Sequence, residues 1–159
     1  MVSVSVSKLG KSSIVFVEEG ATVTAEYYRD GIPEVLIPEM DRLAKRKPYL
    51  FMQDGARSHT AKSTLELLHS QRHLELLEPD MWPPNSPDLN PVDFSIWGAL
   101  EAKVYRGRRI TSLDELRTAI EEEWEAFPQD HINRAIDSFK PRLKRVIEEN
   151  GGHIENYYE

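Results

Sequence analysis

The chain has 159 residues, with 27 acidic side chains against 20 basic ones and a formal charge of −7 at pH 7. That length suits one domain with a real hydrophobic core, and 40% hydrophobic with 30% charged residues is an ordinary globular composition. The absence of cysteine excludes disulfides and thiolate metal sites, the N-terminus lacks a signal-peptide pattern, and no apolar run approaches transmembrane length.

Val2, Val4 and Val6 alternate with serines, which predicts a half-buried strand. Lys8-Leu9-Gly10-Lys11 reads as a turn, Ser13 to Val17 as the returning strand of a hairpin, and Glu18-Glu19-Gly20 as its end. Thr24 is an N-cap for a helix carrying Tyr27 and Tyr28. Pro33 and Pro38 punctuate the next segment, where a helix is expected to about Lys45. Tyr49 to Gln53 is too short for a helix and apolar enough for a central strand; it stops at Asp54. Ala61 to Gln71 predicts a helix with Leu65, Leu67 and Leu68 close together, and Leu74 to Leu77 predicts the next strand. Strand, helix, strand in that order implies parallel pairing.

Met81 to Ile96 is too rich in proline for a helix interior. It ends in Asn90-Pro91-Val92-Asp93, a helix start with Asn90 as N-cap, Pro91 at the first helical position and Asp93 at the third. Ile96, Trp97, Leu100 and Val104 continue at helical spacing. Ser112 with Glu115 is a capping box for a helix through Trp124. Asp130 is the expected cap of a last helix with Ile132, Ala135, Ile136 and Phe139 inward. Pro141 is expected to break or kink it, and Gly151-Gly152 to terminate it. The whole reads as an α/β fold with a mixed sheet flanked by helices.

A strand-end carboxylate, Asp54, and a helix-start carboxylate, Asp93, each set by stiff local geometry, suit a divalent metal site. Local chemistry offers a blander account of both: Asp54 before Gly55 is a common turn signal, and Asp93 can serve a helix N-terminus. Asp88 in Ser86-Pro87-Asp88-Leu89 is explained by turn geometry. His59 follows Asp54 closely and can face the site, and Arg57 and Lys62 are candidates for phosphate contacts. Trp82 and Trp97 read as packing residues rather than base stackers.

Gln53-Asp54-Gly55-Ala56, then His59-Thr60-Ala61, then Trp82-Pro-Pro-Asn-Ser-Pro-Asp-Leu-Asn-Pro-Val-Asp93-Phe94, resemble the catalytic domain of mariner-like transposases. Ser7 to Gly10, Val15-Phe-Val17 and Gly151-Gly-His153 also fit, so the resemblance covers nearly the whole chain. It implies an RNase H-like fold that cuts and joins DNA with two Mg²⁺ (or Mn²⁺) ions held by three acidic residues. It further implies Asp54 and Asp93 as catalytic metal ligands; beside them Arg57, His59 and Lys62 are candidate nucleic-acid contacts on their place in the chain, with plain surface exposure as the alternative for Arg57 and Lys62. DNA (transposon ends and target) is the implied partner, with a homodimer and a nuclear location. The pattern gives the metal role to the carboxylate after Asn90-Pro91, not to Asp88.

Two features depart from the pattern. The fold would open with a strand carrying the first Asp and a Trp-Gly pair, whereas this chain begins Met1-Val2-Ser3-Val4-Ser5 and has no acidic residue before Glu18. The family's helix-turn-helix DNA-binding region is also absent, which suits the acidic balance, since a DNA binder ordinarily carries a basic surface. Local basic groups do occur at Lys45-Arg46-Lys47, at Lys103 to Arg109 and at Lys140 to Arg145, and they read mainly as solvated helix faces. The expectation is therefore a single transposase catalytic domain over residues 1–159, N-terminally truncated. Its metal site would be incomplete and its activity alone weak or nil. The alternative is a domesticated, non-catalytic domain that binds nucleic acid or protein.

Overall fold

The alternating valines and serines form the expected hairpin, but in two pieces. In the computed structural model, which describes residues 1–155, β1 (Val2–Ser3) pairs antiparallel with β4 (Val15–Phe16). Nearer the turn, β2 (Val6–Ser7) pairs with β3 (Gly10–Lys11). Residues 4–5 on one side face residues 12–14 on the other, so the returning strand carries one extra residue, as in a β-bulge. Buried Ser12 spans the break: its N–H donates to the Ser5 carbonyl at 2.9 Å and its Oγ accepts the Ser5 N–H at 2.8 Å. The return therefore begins at Gly10 rather than Ser13. Gly10 sits at φ 151°, and a Cβ there would lie 2.6 Å from Leu43 Cδ2.

Contacts group the chain into two compact units, Met1–Ser86 and Pro87–Glu159. In the first, Thr24 caps α1 (Ala25–Gly31) by accepting the Tyr27 N–H at 3.1 Å, as expected. Helix α2 (Pro33–Leu43) starts with proline in its first turn and continues through Pro38. Val17, Tyr28, Ile32 and Leu36 form one buried cluster between hairpin and helices.

The predicted parallel pair is present: β5 (Tyr49–Phe51) runs alongside β6 (Leu74–Leu76), Tyr49 opposite Leu74. Tyr49, Phe51 and Leu76 pack on buried Ile37, Leu68 and Leu74. The expectation of a central strand needs correction. Among the described residues β5 pairs with β6 alone, and Leu50, on the opposite face of the pleat, is 57% exposed. The crossover also differs from the expected single helix. A short α3 (Arg57–Thr60) precedes α4 (Lys62–His69), because Ala61 adopts extended backbone (ψ 139°) and Thr64 Oγ donates to the Ser58 carbonyl at 2.8 Å.

The second unit is helical, with α5 (Trp97–Val104), α6 (Leu113–Glu125) and α7 (Gln129–Glu148). The capping box holds: Ser112 Oγ accepts the Glu115 N–H at 3.1 Å, and Glu115 reaches back to the Thr111 N–H at 2.7 Å. The cap of α7 is Pro128, not Asp130, which lies inside the first turn. Nor does Pro141 break α7. Its missing donor costs one backbone bond, but Ala135, Arg142 and Val146 are buried on either side, and that packing outweighs the local penalty. The helix closes with Asn150 in the left-handed region (φ 54°), its N–H bonded to Ile147 O, while Gly151 N–H bonds to Val146 O. Within the basic groups, Arg108 pairs with Glu122 and Glu123, and Arg145 with Glu148 and Glu149.

Candidate metal centre

The chain leaves β5 through Met52 and Gln53 and reaches Asp54, where the carboxylate performs the expected turn duty: its Oδ1 accepts the Ala56 N–H at 3.0 Å. It does more than that. The same oxygen lies 2.6 Å from Nδ1 of His59 on α3, and the acceptor character of a carboxylate makes Nδ1 the protonated nitrogen. The His59 hydrogen bond, supported by the Ala56 amide, holds Asp54 below the usual carboxylate range against the opposing effect of partial burial. Asp54 is therefore a stable anion at neutral pH.

Two residues that the sequence did not single out complete the arrangement. The Tyr28 ring lies 4.4 Å from the His59 ring. Its hydroxyl donates to Gln53 Oε1 at 3.1 Å, and Gln53 Nε2 donates to the His59 carbonyl at 3.1 Å. Burial, with the negative charge of Asp54, pushes the Tyr28 phenol far up, so it remains a donor. Asp54, His59, Tyr28 and Gln53 thus form a closed set in which ring orientation and carboxylate position are fixed together. No sequence signal points to Tyr28, because it lies on another helix. Gln53 was legible only as part of the Gln-Asp-Gly-Ala motif.

The other two expected contacts stay outside this set. Arg57 opens α3 and is exposed. Lys62 is 91% exposed with Nζ 3.8 Å from Glu66, so its charge is shared with an acid one turn on.

In the second unit the proline loop delivers Asp93 as read. Asn90 Oδ1 accepts the Val92 N–H at 3.1 Å, Pro91 is helical (φ −54°, ψ −30°), and the Asp93 N–H bonds to the Asn90 carbonyl at 2.9 Å. The form of the next turn was not legible in the residues. Val92–Ile96 is a π-helical turn, with Trp97 N–H bonded to Val92 O, before α5 begins. Such turns are rare and recur at functional sites. Asp93 itself is exposed. Asp88 is the opposite: buried, with Oδ2 accepting the Ile154 N–H at 2.8 Å. Trp82 is buried, in keeping with a packing role.

A carboxylate is the donor type that a hard divalent cation takes, and Asp54 and Asp93 are each of that type. Both are carboxylates at defined backbone positions, and both bonds to Asp54 fall on Oδ1, leaving Oδ2 for a metal. Among the described residues, no group of three or more His, Asp or Glu is gathered as a cation cage.

Comparison with known proteins identifies the family. The family model described as DDE superfamily endonuclease matches residues 3–117, a span that includes both carboxylates. The chain is 33% identical to the Tcb2 transposase of Caenorhabditis briggsae over 78% of its length and 35% identical to the Tc1 transposase of Caenorhabditis elegans over 65%. It spans 43% and 36% of those two relatives. A solved structure of the Mos1 transposase catalytic domain, with raltegravir and Mn, matches 96% of this chain and 76% of its own with a TM-score of 0.75 at 21% identity. The expected RNase H-like mixed fold is thus the one observed. On the match across residues 3–117, this chain belongs to the DDE superfamily endonucleases, with transposases of the Tc1/mariner group among its homologues.

Proposed function

We propose that this chain supplies Asp54 and Asp93 as metal-ligating carboxylates for divalent-cation-dependent cleavage and joining of DNA, with transposon ends and target DNA as substrates. The observation that carries the reading is the built environment of Asp54: a half-exposed carboxylate held by His59 at 2.6 Å, with Tyr28 and Gln53 fixing that histidine in turn. Oriented partners behind a metal-binding carboxylate are what such a site requires. The family match, and the Mn that accompanies the Mos1 catalytic domain in its solved structure, support Mg²⁺ or Mn²⁺ as the cation.

When bound, the cation would activate the attacking oxygen and stabilise the leaving one. The protein's own part is positional. His59 and the Ala56 amide keep Asp54 ionised and aimed. The Asn90 cap and the π turn fix the backbone at Asp93. Arg57, His59 and Lys62 are proposed nucleic-acid contacts near Asp54, and a homodimer acting on DNA in the nucleus is the proposed working form.

Activity of this chain alone is proposed to be weak. Strands β1 to β4 carry no Asp or Glu, and a two-metal clamp on two carboxylates holds its second ion poorly. The test is nicking of supercoiled plasmid in Mg²⁺ or Mn²⁺, by the chain alone and by the chain fused to an N-terminal strand bearing an Asp. Metal-dependent nicking gained in the fusion, and abolished by Asp54→Asn or Asp93→Asn, is expected. A folded fusion that binds DNA but never nicks would favour the non-catalytic binding reading instead. Robust nicking by the unfused chain would mean that another residue supplies the third ligand.

A further inference from the structure

We infer that Arg142 on α7 is a positioning residue for Asp93. This rests on the reading of Asp93 as a metal ligand. Arg142 lies 49 positions along the chain from Asp93, on the last helix, and only 5% of it is exposed. Its guanidinium grips the segment around Asp93 on both sides. Upstream, Nη1 donates to the backbone carbonyl of Asp88 at 3.0 Å. Downstream, the guanidinium carbon lies 3.8 Å from the ring centre of Phe94, the residue immediately after Asp93. The five intervening residues include the Asn90 cap and the start of the π turn.

The grip is itself secured. Nη1 also donates to Glu155 at 2.7 Å. The adjoining Ile154 is fully buried and its N–H donates to the Asp88 carboxylate at 2.8 Å. Asp88 is thus held twice, by Arg142 at its carbonyl and by the C-terminal segment at its side chain. A planar guanidinium suits this work, because it can stack on a ring and donate in its own plane at once; a lysine can do only one of the two. A buried arginine is a costly way to fill space, and an apolar residue of similar length often keeps such a fold intact. That separates the two roles experimentally. If Arg142 only stabilises, its loss changes the melting temperature and nothing at Asp93. If it positions, a folded variant lets the Asp93 backbone wander.

The experiment uses the whole chain, with Mn²⁺ alone as the probe. Wild type, Arg142→Met, Arg142→Lys and Asp93→Asn are titrated by water-proton relaxation at a temperature where circular dichroism shows each one folded. Amide exchange is followed at residues 92–97 and, for reference, along α6. The expected result for Arg142→Met is an Mn²⁺ affinity lower by about tenfold, the usual scale for a partner behind a ligand. Exchange at residues 92–97 should rise while α6 is unchanged, and Arg142→Lys should fall between. Wild-type affinity and exchange in a folded Arg142→Met would overturn the inference. Should Arg142→Met not fold, Arg142→Lys decides by the same criteria. Equal Mn²⁺ binding by wild type and Asp93→Asn would instead overturn the metal role of Asp93. Exchange at residues 92–97 would still judge Arg142.

Discussion

His59 Nδ1 meets Asp54 Oδ1 at 2.6 Å, and the same imidazole lies 4.4 Å from the Tyr28 ring, whose hydroxyl returns to Gln53 next to Asp54. The carboxylate is therefore held by a loop of contacts that closes on itself. Tyr28→Phe keeps the ring and removes the hydroxyl, leaving Gln53 Oε1 without its donor. The expected loss is about 1 kcal/mol in urea unfolding, the usual net worth of a partly buried hydrogen bond. No loss at all would mean that solvent already satisfies Gln53.

Asp88 makes a contrasting case. It is buried and holds the Ile154 amide at 2.8 Å, so its role is to tie the C-terminal segment to the proline loop. Asp88→Ala should cost about 1–3 kcal/mol by leaving a buried amide unpaired. Asp88→Asn keeps an acceptor and should cost less. Asp88→Asn, which can keep the tie to Ile154, should leave Mn²⁺ affinity in the folded protein unchanged, as followed by relaxation titration. A marked loss of Mn²⁺ in Asp88→Asn would make Asp88 a ligand after all.

Glu115 gives a pH signature. Its bonds from the Thr111 amide and hydroxyl, and from Ser112, hold its carboxyl below the usual range. A depressed folded-state pKa contributes stability above the unfolded value of about 4.3, and that contribution is lost as pH falls through the lower, folded-state value. Thermal melts of wild type and Glu115→Gln should therefore differ near neutral pH and converge in acid. A gap that widened as pH fell would contradict the sign.

These cases mark what the sequence could and could not reveal. Local chemistry was legible: the Thr24, Asn90 and Ser112 caps, the parallel pairing of β5 with β6 and the turn at Asp54 all appear as read. Features decided by distant packing were not. Pro141 passes through α7 because buried neighbours hold the helix, and Leu50 is exposed on the face of β5 opposite the packed Tyr49 and Phe51. The π turn at Asp93 leaves no mark in residue type or spacing. Tyr28 and Arg142 act on the two carboxylates from other helices, at separations that no local pattern encodes.

The central claim is that Asp54 and Asp93 are metal ligands, and Mn²⁺ titration of the whole chain by water-proton relaxation tests it most directly. Saturable binding is expected in the wild type. Asp54→Asn and Asp93→Asn, each folded, should weaken it at least as much as losing an outer partner, about tenfold. Binding in both variants indistinguishable from wild type would contradict the claim and return Asp54 to its turn and Asp93 to its helix end.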